Sequence, residues 1–374
     1  MRIIVDYRPA LRARSGVGEY VHQTARALSL RYTDDSLTLF TSSWKDRPEP
    51  GVASGCPGAR VSDHRFPVSV LNFAWHQLEW PSIELITHRR YDVAFSPHPL
   101  LLPTRHAAQV VMVHDLDFLR HPERTQREIR RDYPRLARPH ALRASRVIVP
   151  SQYTAAEVVN QLGVPRQRVV VCPPGAPEWR DPVPGRFASG GYALFMGTLE
   201  PRKNVDGLLE AYGRLLARRP NVPKLVLVGR AGAEAQPWLD AIARPPLVGH
   251  VEYLGYVSEH DRQRVYAGAR LLVLPSYEEG FGMSVLEAMS LGIPVIATSR
   301  GALPELVGDA GVFIVPEDAE SIVAALDRVL GDDSFAETIG WRGLERSRRF
   351  QWQHTAQAIH EAFREAIDDR AHRN

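Results

Sequence analysis

Cysteine is scarce in this chain, and long apolar runs are missing from it. Its 374 residues include only two cysteines, Cys56 and Cys172, which are far apart and lack the spacing of metal ligands. A disulfide framework and a zinc site are therefore excluded. Asp6 and Arg8 interrupt the apolar run at the amino terminus, so neither a signal peptide nor a transmembrane helix fits there. We expect a cytoplasmic protein without a metal site.

Two familiar nucleotide-binding sequences are also missing. The chain has no GxxxxGKS or GxxxxGKT sequence and therefore no P-loop. Ser15, Gly16 and Gly18 open a predicted helix, but Val21 occupies the position of the third glycine in the dinucleotide fingerprint. An NAD or FAD site is therefore disfavoured, and we expect no cofactor. Backbone amides near Gly16 still allow a phosphate to approach, although two glycines alone are weak evidence.

The positive and negative charges are unevenly distributed along the chain. Residues 1–175 contain 24 Lys and Arg against 16 Asp and Glu, and the remainder contains 22 against 27. Within residues 120–146, arginines recur at helical spacing at Arg124, Arg127, Arg131, Arg135 and Arg138. A solvated helix face explains this pattern, and so does attraction to anionic lipid or a phosphorylated acceptor. No nucleic-acid-binding motif accompanies the charge, so nucleic acid is not an expected partner.

Length and patterning predict two α/β domains. At 374 residues the chain exceeds what one hydrophobic core usually supports. Short apolar runs alternate with helical patterns, which is typical of parallel, doubly wound folds. Strands are predicted at residues 2–6, 36–41, 91–96, 109–115, 146–151, 168–172, 192–197, 224–229, 251–255, 270–276, 293–298 and 311–315. Residues 173–191, rich in Pro and Gly, predict a linker between domains at 1–174 and 175–351.

Two amphipathic segments require a packing partner. A helix is predicted over residues 352–374, with an apolar stripe of Trp352, Ala356, Ile359, Phe363 and Ile367. The stripe packs either on its own domain or on the first domain, and the pattern leaves both open. A second segment places Leu71, Trp75 and Leu78 at helical spacing, which fits a buried helix and a membrane contact equally well.

Polar residues follow two further predicted strands, at the edge of the sheet where open α/β folds bind ligands. His114 ends the strand at 109–115 and fits either a structural hydrogen bond or an active site. Arg202 and Lys203 precede a helix predicted to start near Asn204, where the helix dipole disfavours cations. Such a conflict requires a counter-charge. A diphosphate would supply it, although basic surface pairs are also common.

Two glutamates eight residues apart flank a glycine turn in the sequence EEGFGMSVLE. On one continuous helix, Glu279 and Glu287 would be separated by about 12 Å along the axis and would not form a carboxylate pair. We therefore place Glu279 in a loop and predict a helix starting near Gly282 or Met283. Glu287 then lies among apolar residues, where a carboxylate needs donors such as ribose hydroxyls.

Taken together, these turns resemble those of the retaining glycosyltransferases of family 4. The resemblance covers nearly the whole chain and is strongest from Gly197 to Pro316, in GTLEPRKN and in EEGFGMSVLEAMSLGIPVIA, which carries the family's E-x7-E element. SGVGEYV, VHDLDFL and VIVPSQYTAAEVV match its amino-terminal landmarks. The resemblance implies a GT-B fold of two Rossmann-like domains facing across a cleft, with the final helix crossing back to the first domain.

The resemblance also implies roles for individual residues. Arg202 and Lys203 would bind the diphosphate of a nucleotide sugar, joined by backbone amides near Gly16. Glu279 would contact the transferred sugar, with help from the backbone amides of Phe281, Gly282, Met283 and Ser284. Glu287 would bind ribose, and His114 would lie near the anomeric carbon. Two departures from the family pattern are Thr198, where many members have arginine, and Met283-Ser284, where many have Leu-Pro.

The reaction implied by the resemblance is transfer of a hexose, with retention and without a metal ion. GDP-mannose is the favoured donor because the motifs resemble those of bacterial mannosyltransferases of polysaccharide biosynthesis; dTDP-rhamnose and UDP-hexoses follow. The implied acceptor is a glycan or a lipid-linked glycan at the inner face of the cytoplasmic membrane. The alternatives are another GT-B enzyme, such as an epimerase or phosphorylase, and a non-catalytic partner in glycan assembly.

Overall fold

A computed structural model describes residues 1–11, 14, 16–48, 55–125, 127–179 and 190–372. The chain divides into two compact units. The first unit comprises Met1–Gly175 together with Gln351–Asn374, and the second comprises Ala176–Phe350. Most of the predicted linker, as well as Ser15 and the last two residues of the predicted final helix, lies outside the described residues.

The first unit contains a seven-stranded, wholly parallel sheet. Its strands are β1 (Arg2–Asp6), β2 (Ser36–Ser42), β3 (Arg60–His64), β4 (Val93–Ser96), β5 (Ala108–Met112), β6 (Arg146–Val149) and β7 (Val169–Val171). They lie in the order β3-β2-β1-β4-β5-β6-β7. Helices lie at Val17–Arg31, Val68–Phe73, Ile83–Thr87, Asp117–Arg120, Arg127–Arg143, Gln152–Glu157 and Trp352–Ala371. Short 3-10 helices lie at Arg8–Ala10, Pro122–Arg124 and Arg166–Arg168, and short π-helices lie at Ala74–Leu78 and Val158–Leu162.

Strand β3 was not predicted, and its sequence explains why. RVSDH offers a single apolar residue and no alternation that would distinguish a strand from a loop. Its backbone nevertheless pairs with β2 over five residues, and Thr41 donates a hydrogen bond of 2.7 Å to Asp63. An edge strand is covered on one side only, so it does not require the apolar content of the central strands.

The final helix, Trp352–Ala371, packs in the core of the first unit. Ile359 and Phe363 are fully buried, and the Phe363 ring lies 5.5 Å from that of Phe95. Arg146 at the start of β6 forms a salt bridge of 3.0 Å with Glu365. Of the two packings that the sequence left open, the structure has the one on the first unit, because that sheet needs cover for its apolar face.

The second unit contains a six-stranded parallel sheet in the order β10-β9-β8-β11-β12-β13. Its strands are β8 (Tyr192–Met196), β9 (Leu225–Val228), β10 (Val251–Gly255), β11 (Ala269–Leu274), β12 (Val295–Thr298) and β13 (Val312–Ile314). Helices lie at Val205–Arg218, Gln236–Ile242, Glu259–Ala267, Met283–Ser290, Leu303–Val307, Ala319–Gly331 and Asp333–Ser347. A short turn, Pro201–Lys203, precedes the first of these helices.

Both sheets follow the doubly wound strand order, which reverses direction on either side of one central strand. The central strands β9, β11 and β12 are buried along their whole length, which explains their continuous apolar runs. In the second unit the order reverses between β8 and β11. Loops that leave the carboxyl ends of these two strands diverge, and ligands bind in the resulting crevice.

The arginine-rich and apolar segments of the first unit contact each other. Arg135 donates a hydrogen bond of 2.8 Å to Gln77, and His76 contacts Asp132 at 2.7 Å. The helix Arg127–Arg143 confirms the helical spacing, although the side chains of Arg124 and Arg127 lie outside the described residues. Leu71 and Trp75 are buried, whereas Leu78 is exposed, so the three residues predicted to share one stripe do not share one environment.

Candidate active site

Two loops meet at the reversal point of the second sheet. One follows β8 and contains Arg202 and Lys203; the other follows β11 and contains Glu279 and Gly282. The backbone amide of Tyr277 donates a hydrogen bond of 2.9 Å to the carbonyl of Arg202, which joins the two loops directly. Residues about 75 positions apart in sequence thereby lie side by side, as the parallel topology requires.

The turn before the helix Val205–Arg218 fixes Arg202 and Lys203. Asn204 has a left-handed backbone conformation, with φ of 55°, and its side chain accepts a hydrogen bond from the amide of Gly207. Its side-chain nitrogen donates a hydrogen bond of 2.7 Å to the carbonyl of Pro316. Asparagine suits this position because its short side chain tolerates φ > 0 and caps a helix. The predicted helix start near Asn204 is confirmed.

Glu279 lies between the two cations. Its carboxylate contacts the Lys203 ammonium, lies 3.4 Å from the Arg202 guanidinium, and accepts a hydrogen bond of 2.7 Å from Ser276. Burial by itself would raise the pKa of Glu279, but the attraction of Lys203 and Arg202, together with these hydrogen bonds, lowers it to about 2. Glu279 is therefore ionised at neutral pH, as a buried acid beside two cations should be.

The counter-charge that the sequence analysis assigned to a diphosphate is supplied within the chain. Arg202 contacts Glu200 at 3.0 Å in addition to Glu279. Its guanidinium also donates a hydrogen bond of 2.9 Å to the backbone carbonyl of Glu278. Arg202 and Lys203 thus face two carboxylates, and their formal charges balance. The conflict with the helix dipole is therefore not, by itself, evidence for a bound phosphate.

The glycine turn separates the two glutamates. Gly282 has φ of 101°, and a Cβ there would lie 2.3 Å from a methyl group of Leu303, so the position requires glycine. The helix Met283–Ser290 begins directly after it, and its N-cap residue, Gly282, makes no side-chain cap hydrogen bond. Phe281 is buried against Phe350, with the rings 5.7 Å apart. The placement of Glu279 in a loop and Glu287 in a helix is as predicted.

Glu287 has two partners that the sequence analysis did not identify. The Tyr266 hydroxyl donates a hydrogen bond of 2.6 Å to Oε2 of Glu287, and Arg262 lies 3.3 Å from Oε1. Tyr266 is fully buried, and Glu287 is nearly so. The available signal was the four-residue spacing of Arg262 and Tyr266, which places both side chains on one face of the helix Glu259–Ala267.

The remaining predicted residues, His114 and Gly16, lie in the first unit. His114 follows β5, its Nε2 lies 3.0 Å from the carbonyl of Pro97, and its ring packs edge-on against Tyr20 at 5.5 Å. Burial lowers the pKa of His114 to about 4. A carbonyl only accepts, so Nε2 carries the proton and Nδ1 of the neutral ring is left as an acceptor.

Gly16 caps the helix Val17–Arg31, with φ of 53°, and its carbonyl accepts a hydrogen bond of 3.0 Å from Tyr20. Gly16 has no side chain that could cap the first turn of this helix. Because Tyr20 also contacts His114, the helix connects these two predicted residues within the first unit. The contact of either residue with a ligand stays a prediction.

Asp115 and Asp117 form an Asp-x-Asp sequence, a spacing that can serve metal ligation. In the structure Asp115 accepts a hydrogen bond of 3.2 Å from the backbone amide of Asp117, which stabilises the turn after β5. Within the part of the chain that the structure describes, no three His, Cys, Asp or Glu side chains are grouped to hold a metal ion.

Comparison with known families matches both halves of the chain. Residues 14–179 match "Glycosyltransferase Family 4", and residues 182–346 match "Glycosyl transferases group 1". The O-antigen chain mannosyltransferase B of Escherichia coli is 31% identical over 377 residues, which covers 96% of this chain and 98% of that protein.

Solved structures share the architecture. Sucrose-phosphate synthase from Thermosynechococcus elongatus superposes with a TM-score of 0.78 at 21% identity, covering 98% of this chain and 99% of that one. HepE of Anabaena in complex with UDP-glucose superposes with a TM-score of 0.72 at 20% identity, covering 96% and 98% of the respective chains. At such identities the likeness establishes the fold alone.

Proposed function

The chain belongs to the family 4, group 1 glycosyltransferases and has their GT-B fold, and on this basis we propose that it is a retaining hexosyltransferase that uses a nucleoside-diphosphate sugar. The single observation that carries the proposal is the contact of Lys203 and Arg202 with Glu279 at the reversal point of the second sheet. Cations for a leaving phosphate and a carboxylate for sugar hydroxyls are thereby placed together.

In this proposal the diphosphate binds Arg202 and Lys203 and draws them from Glu200 and Glu279. The uncapped first turn of the helix Met283–Ser290 adds backbone donors and a favourable dipole, with the amides of Phe281 to Ser284 facing sugar and phosphate. Glu279, relieved of part of its cation contact, accepts hydroxyls of the transferred sugar.

The chemical step breaks the bond between the anomeric carbon and the diphosphate oxygen. The acceptor oxygen forms its bond to the same face of that carbon, and its proton passes to the departing diphosphate. Fixed cations stabilise the charge that develops on the leaving phosphate, an effect worth roughly 3 kcal/mol for one well-placed donor. His114 is neutral, with Nδ1 free of a proton, so its ring suits acceptance of a hydrogen bond from a hydroxyl group rather than the role of an acid.

Metal independence is part of the same proposal. Arg202, Lys203 and a helix amino terminus supply positive potential at the leaving group. A divalent cation often serves that purpose in phosphoryl and glycosyl transfer. Addition of EDTA is expected to leave turnover unchanged, and restoration of lost activity by Mg²⁺ or Mn²⁺ would contradict this part.

GDP-mannose is the proposed donor. Support comes from a relative that covers 96% of the chain and is named a mannosyltransferase. UDP-hexoses and dTDP-rhamnose are the alternatives, and the neighbour of similar fold was solved with UDP-glucose. Binding of each nucleotide sugar, measured by calorimetry, together with release of its diphosphate in the presence of acceptor, tests the choice. If no nucleotide sugar binds at millimolar concentration, the proposed function is wrong.

Two variants separate the roles of the site residues. Lys203→Ala is expected to weaken binding of the free nucleoside diphosphate, because it removes a cation from the phosphate site. Glu279→Ala is expected to abolish turnover without weakening diphosphate binding, because in this proposal Glu279 contacts the transferred sugar and only competes with the phosphates for Lys203 and Arg202. The matched control is Lys224→Ala, an exposed lysine of the same unit. Equal loss of nucleotide affinity in both site variants would refute the division of roles.

Release of diphosphate only in the presence of acceptor also separates transfer from the two rival activities. An epimerase converts a nucleotide sugar without an acceptor, and a phosphorylase uses inorganic phosphate instead of a nucleotide. A non-catalytic glycan-assembly protein would bind the nucleotide sugar without turnover. The close contact of Lys203, Arg202 and Glu279 supports a catalytic transferase site over these three alternatives.

We further propose that the acceptor is a glycan, free or lipid-linked, in cell-surface polysaccharide synthesis, and that the protein contacts the inner face of the cytoplasmic membrane. No helix among the described residues has the length and apolarity needed to cross a bilayer. In the first unit, however, the segment 66–80 exposes more than half of each of Val70, Phe73, Leu78 and Trp80. The arginine-rich helix Arg127–Arg143 lies beside this segment.

Exposed apolar and aromatic side chains beside cations are the features that bind anionic lipid surfaces. Of the two alternatives left open for Leu71, Trp75 and Leu78, burial holds for Leu71 and Trp75, and the proposed membrane contact therefore uses the exposed Phe73 and Trp80 instead. Co-sedimentation with vesicles containing phosphatidylglycerol is expected to be lost in the double variant Phe73→Ser and Trp80→Ser. The variant Trp341→Ser, which alters an exposed tryptophan of the second unit, is expected to retain it. Unchanged binding by the double variant would refute this surface.

A further inference from the structure

The contacts of Glu287 extend the site beyond the residues that the family motifs indicate. Tyr266 and Arg262 reach Glu287 from the helix Glu259–Ala267, one turn apart, and each contacts a different carboxylate oxygen. The Tyr266 hydroxyl also lies 3.2 Å from the backbone carbonyl of Ser284. Tyr266 therefore holds together the carboxylate and the first turn of the helix Met283–Ser290.

The partners of Glu287 leave a defined acceptor capacity. A carboxylate has about four lone-pair positions, two on each oxygen. The Tyr266 hydroxyl occupies one position on Oε2, and Arg262 forms an ion pair of 3.3 Å with Oε1. Among the described residues, acceptor capacity therefore remains on both oxygens of Glu287. A vicinal diol presents two hydroxyl donors with matching separation.

The protonation of these groups supports the direction of the hydrogen bonds. Burial, reinforced by the charge of Glu287, raises the pKa of Tyr266 well above its ordinary value, so its hydroxyl keeps the proton and donates. The guanidinium of Arg262 carries five donors and no acceptor. Both partners therefore orient Glu287 as an acceptor only, which suits hydroxyl groups and excludes a second carboxylate.

Stability alone gives weak reason for this arrangement. A buried ion pair costs desolvation that its attraction often fails to offset, and apolar replacements of similar volume are frequently neutral or stabilising. Arg262 and Glu287 keep side-chain exposures of 11% and 7%, within a largely apolar surrounding. Because Arg262 balances the charge of Glu287, the pair is neutral overall. It can therefore lie near a diphosphate with less repulsion than an unpaired carboxylate would feel.

We propose that Tyr266 and Arg262 are positioning residues that orient Glu287 to receive the vicinal 2′- and 3′-hydroxyls of the nucleoside diphosphate. The inference rests on the proposed function and deepens it. Tyr266 fixes the direction of one carboxylate oxygen, Arg262 fixes the other and balances the charge, and Glu287 alone contacts the ribose. Discrimination for ribose over a sugar lacking these hydroxyls then depends on residues that do not touch the ligand.

The experiment compares GDP and UDP with their 2′,3′-dideoxy analogues by isothermal titration calorimetry. In the unmodified protein, the dideoxy analogue of the preferred diphosphate is expected to bind more weakly, because Glu287 loses both donors. Tyr266→Phe is expected to raise the Kd of the ribose form by roughly 3- to 10-fold, as loss of one hydrogen bond predicts. The Kd of the dideoxy form should stay unchanged, so that the ratio between the two analogues falls.

A second variant and a control keep the test decisive. Arg262→Gln retains a polar side chain and is expected to reduce the same ratio by about 10-fold or more, since a charged partner is lost. Tyr212→Phe removes another buried tyrosine hydroxyl of this unit, one that donates to the carbonyl of Pro223, and is expected to leave the ratio unchanged. Circular dichroism shows that each variant is folded before titration.

The outcomes separate this inference from the proposed function. If Tyr266→Phe and Arg262→Gln weaken the ribose and dideoxy forms equally, the two residues have a general structural role and the inference is wrong. Unchanged affinity for both forms in both variants also overturns it, while leaving the proposed function in place. Failure of the unmodified protein to bind GDP or UDP at all would overturn both.

Discussion

Replacement of Glu279 by glutamine tests the electrostatics of the candidate site. The substitution keeps the shape of the side chain but removes the charge that faces Lys203 and Arg202. In the folded protein the pKa of Glu279 is about 2, against an ordinary value of 4.5. At 1.36 kcal/mol per pH unit, this difference corresponds to roughly 3 kcal/mol of stability at pH 7.

The pH dependence gives this prediction a second readout. The folded-state pKa lies below the unfolded-state value, so the contribution of Glu279 is present above pH 4.5 and is lost as the pH falls towards 2. The stability difference between the protein and the Glu279→Gln variant should therefore shrink by about 1 kcal/mol between pH 5 and pH 3.5. Above pH 5 it should stay constant.

Urea unfolding followed by hydrogen-exchange mass spectrometry measures the effect in the second unit, through peptides that contain β11 (Ala269–Leu274). The control is Glu200→Gln, which removes the more exposed partner of Arg202 and is expected to cost less than about 1 kcal/mol. If Glu279→Gln is as stable as the unmodified protein at pH 7, or if the difference does not depend on pH, the assignment of Glu279 as a charge held by Lys203 and Arg202 is wrong.

Three further outcomes are expected. Gly301→Ala should impair turnover, because the added Cβ would lie 2.5 Å from the carbonyl oxygen of Glu279. The control is Gly249→Ala, at a position with a similar positive φ and open space around it. It should cost about 1 kcal/mol of stability and no activity. Phe363→Ala should destabilise the first unit by about 3 to 5 kcal/mol in thermal unfolding, and a loss below about 1 kcal/mol would contradict the packing of the final helix. His114 should remain neutral from pH 5.5 to 8 in NMR spectra of histidine-labelled protein, since burial lowers its pKa to about 4, and its contribution to stability should decline as the pH falls from 6.5 towards 4. A His114 titration near pH 6.5 would refute its buried, neutral state.

The sequence by itself determined the fold class and the positions of most elements along the chain. Twelve predicted strands correspond to strands of the two parallel sheets. The buried central strands were the clearest, because burial on both faces requires continuous apolar runs that are visible in one dimension. The helix start after Gly282 was also predictable, since the glycine turn and the change of periodicity are local signals. Membership of the glycosyltransferase family rested on motifs of the same local kind.

Only the tertiary structure decided which charges meet. Parallel topology brings the loop after β8 beside the loop after β11, so Lys203 and Arg202 find their counter-charge in Glu279, about 75 residues away, where local reasoning had placed a phosphate. Tyr266 and Arg262 become partners of Glu287 for the same reason. Strand β3 exists because β2 offers it a backbone partner, and the final helix covers the first sheet because its apolar face needs cover. Pairing and burial between distant segments depend on where the chain returns in space, which no local pattern specifies.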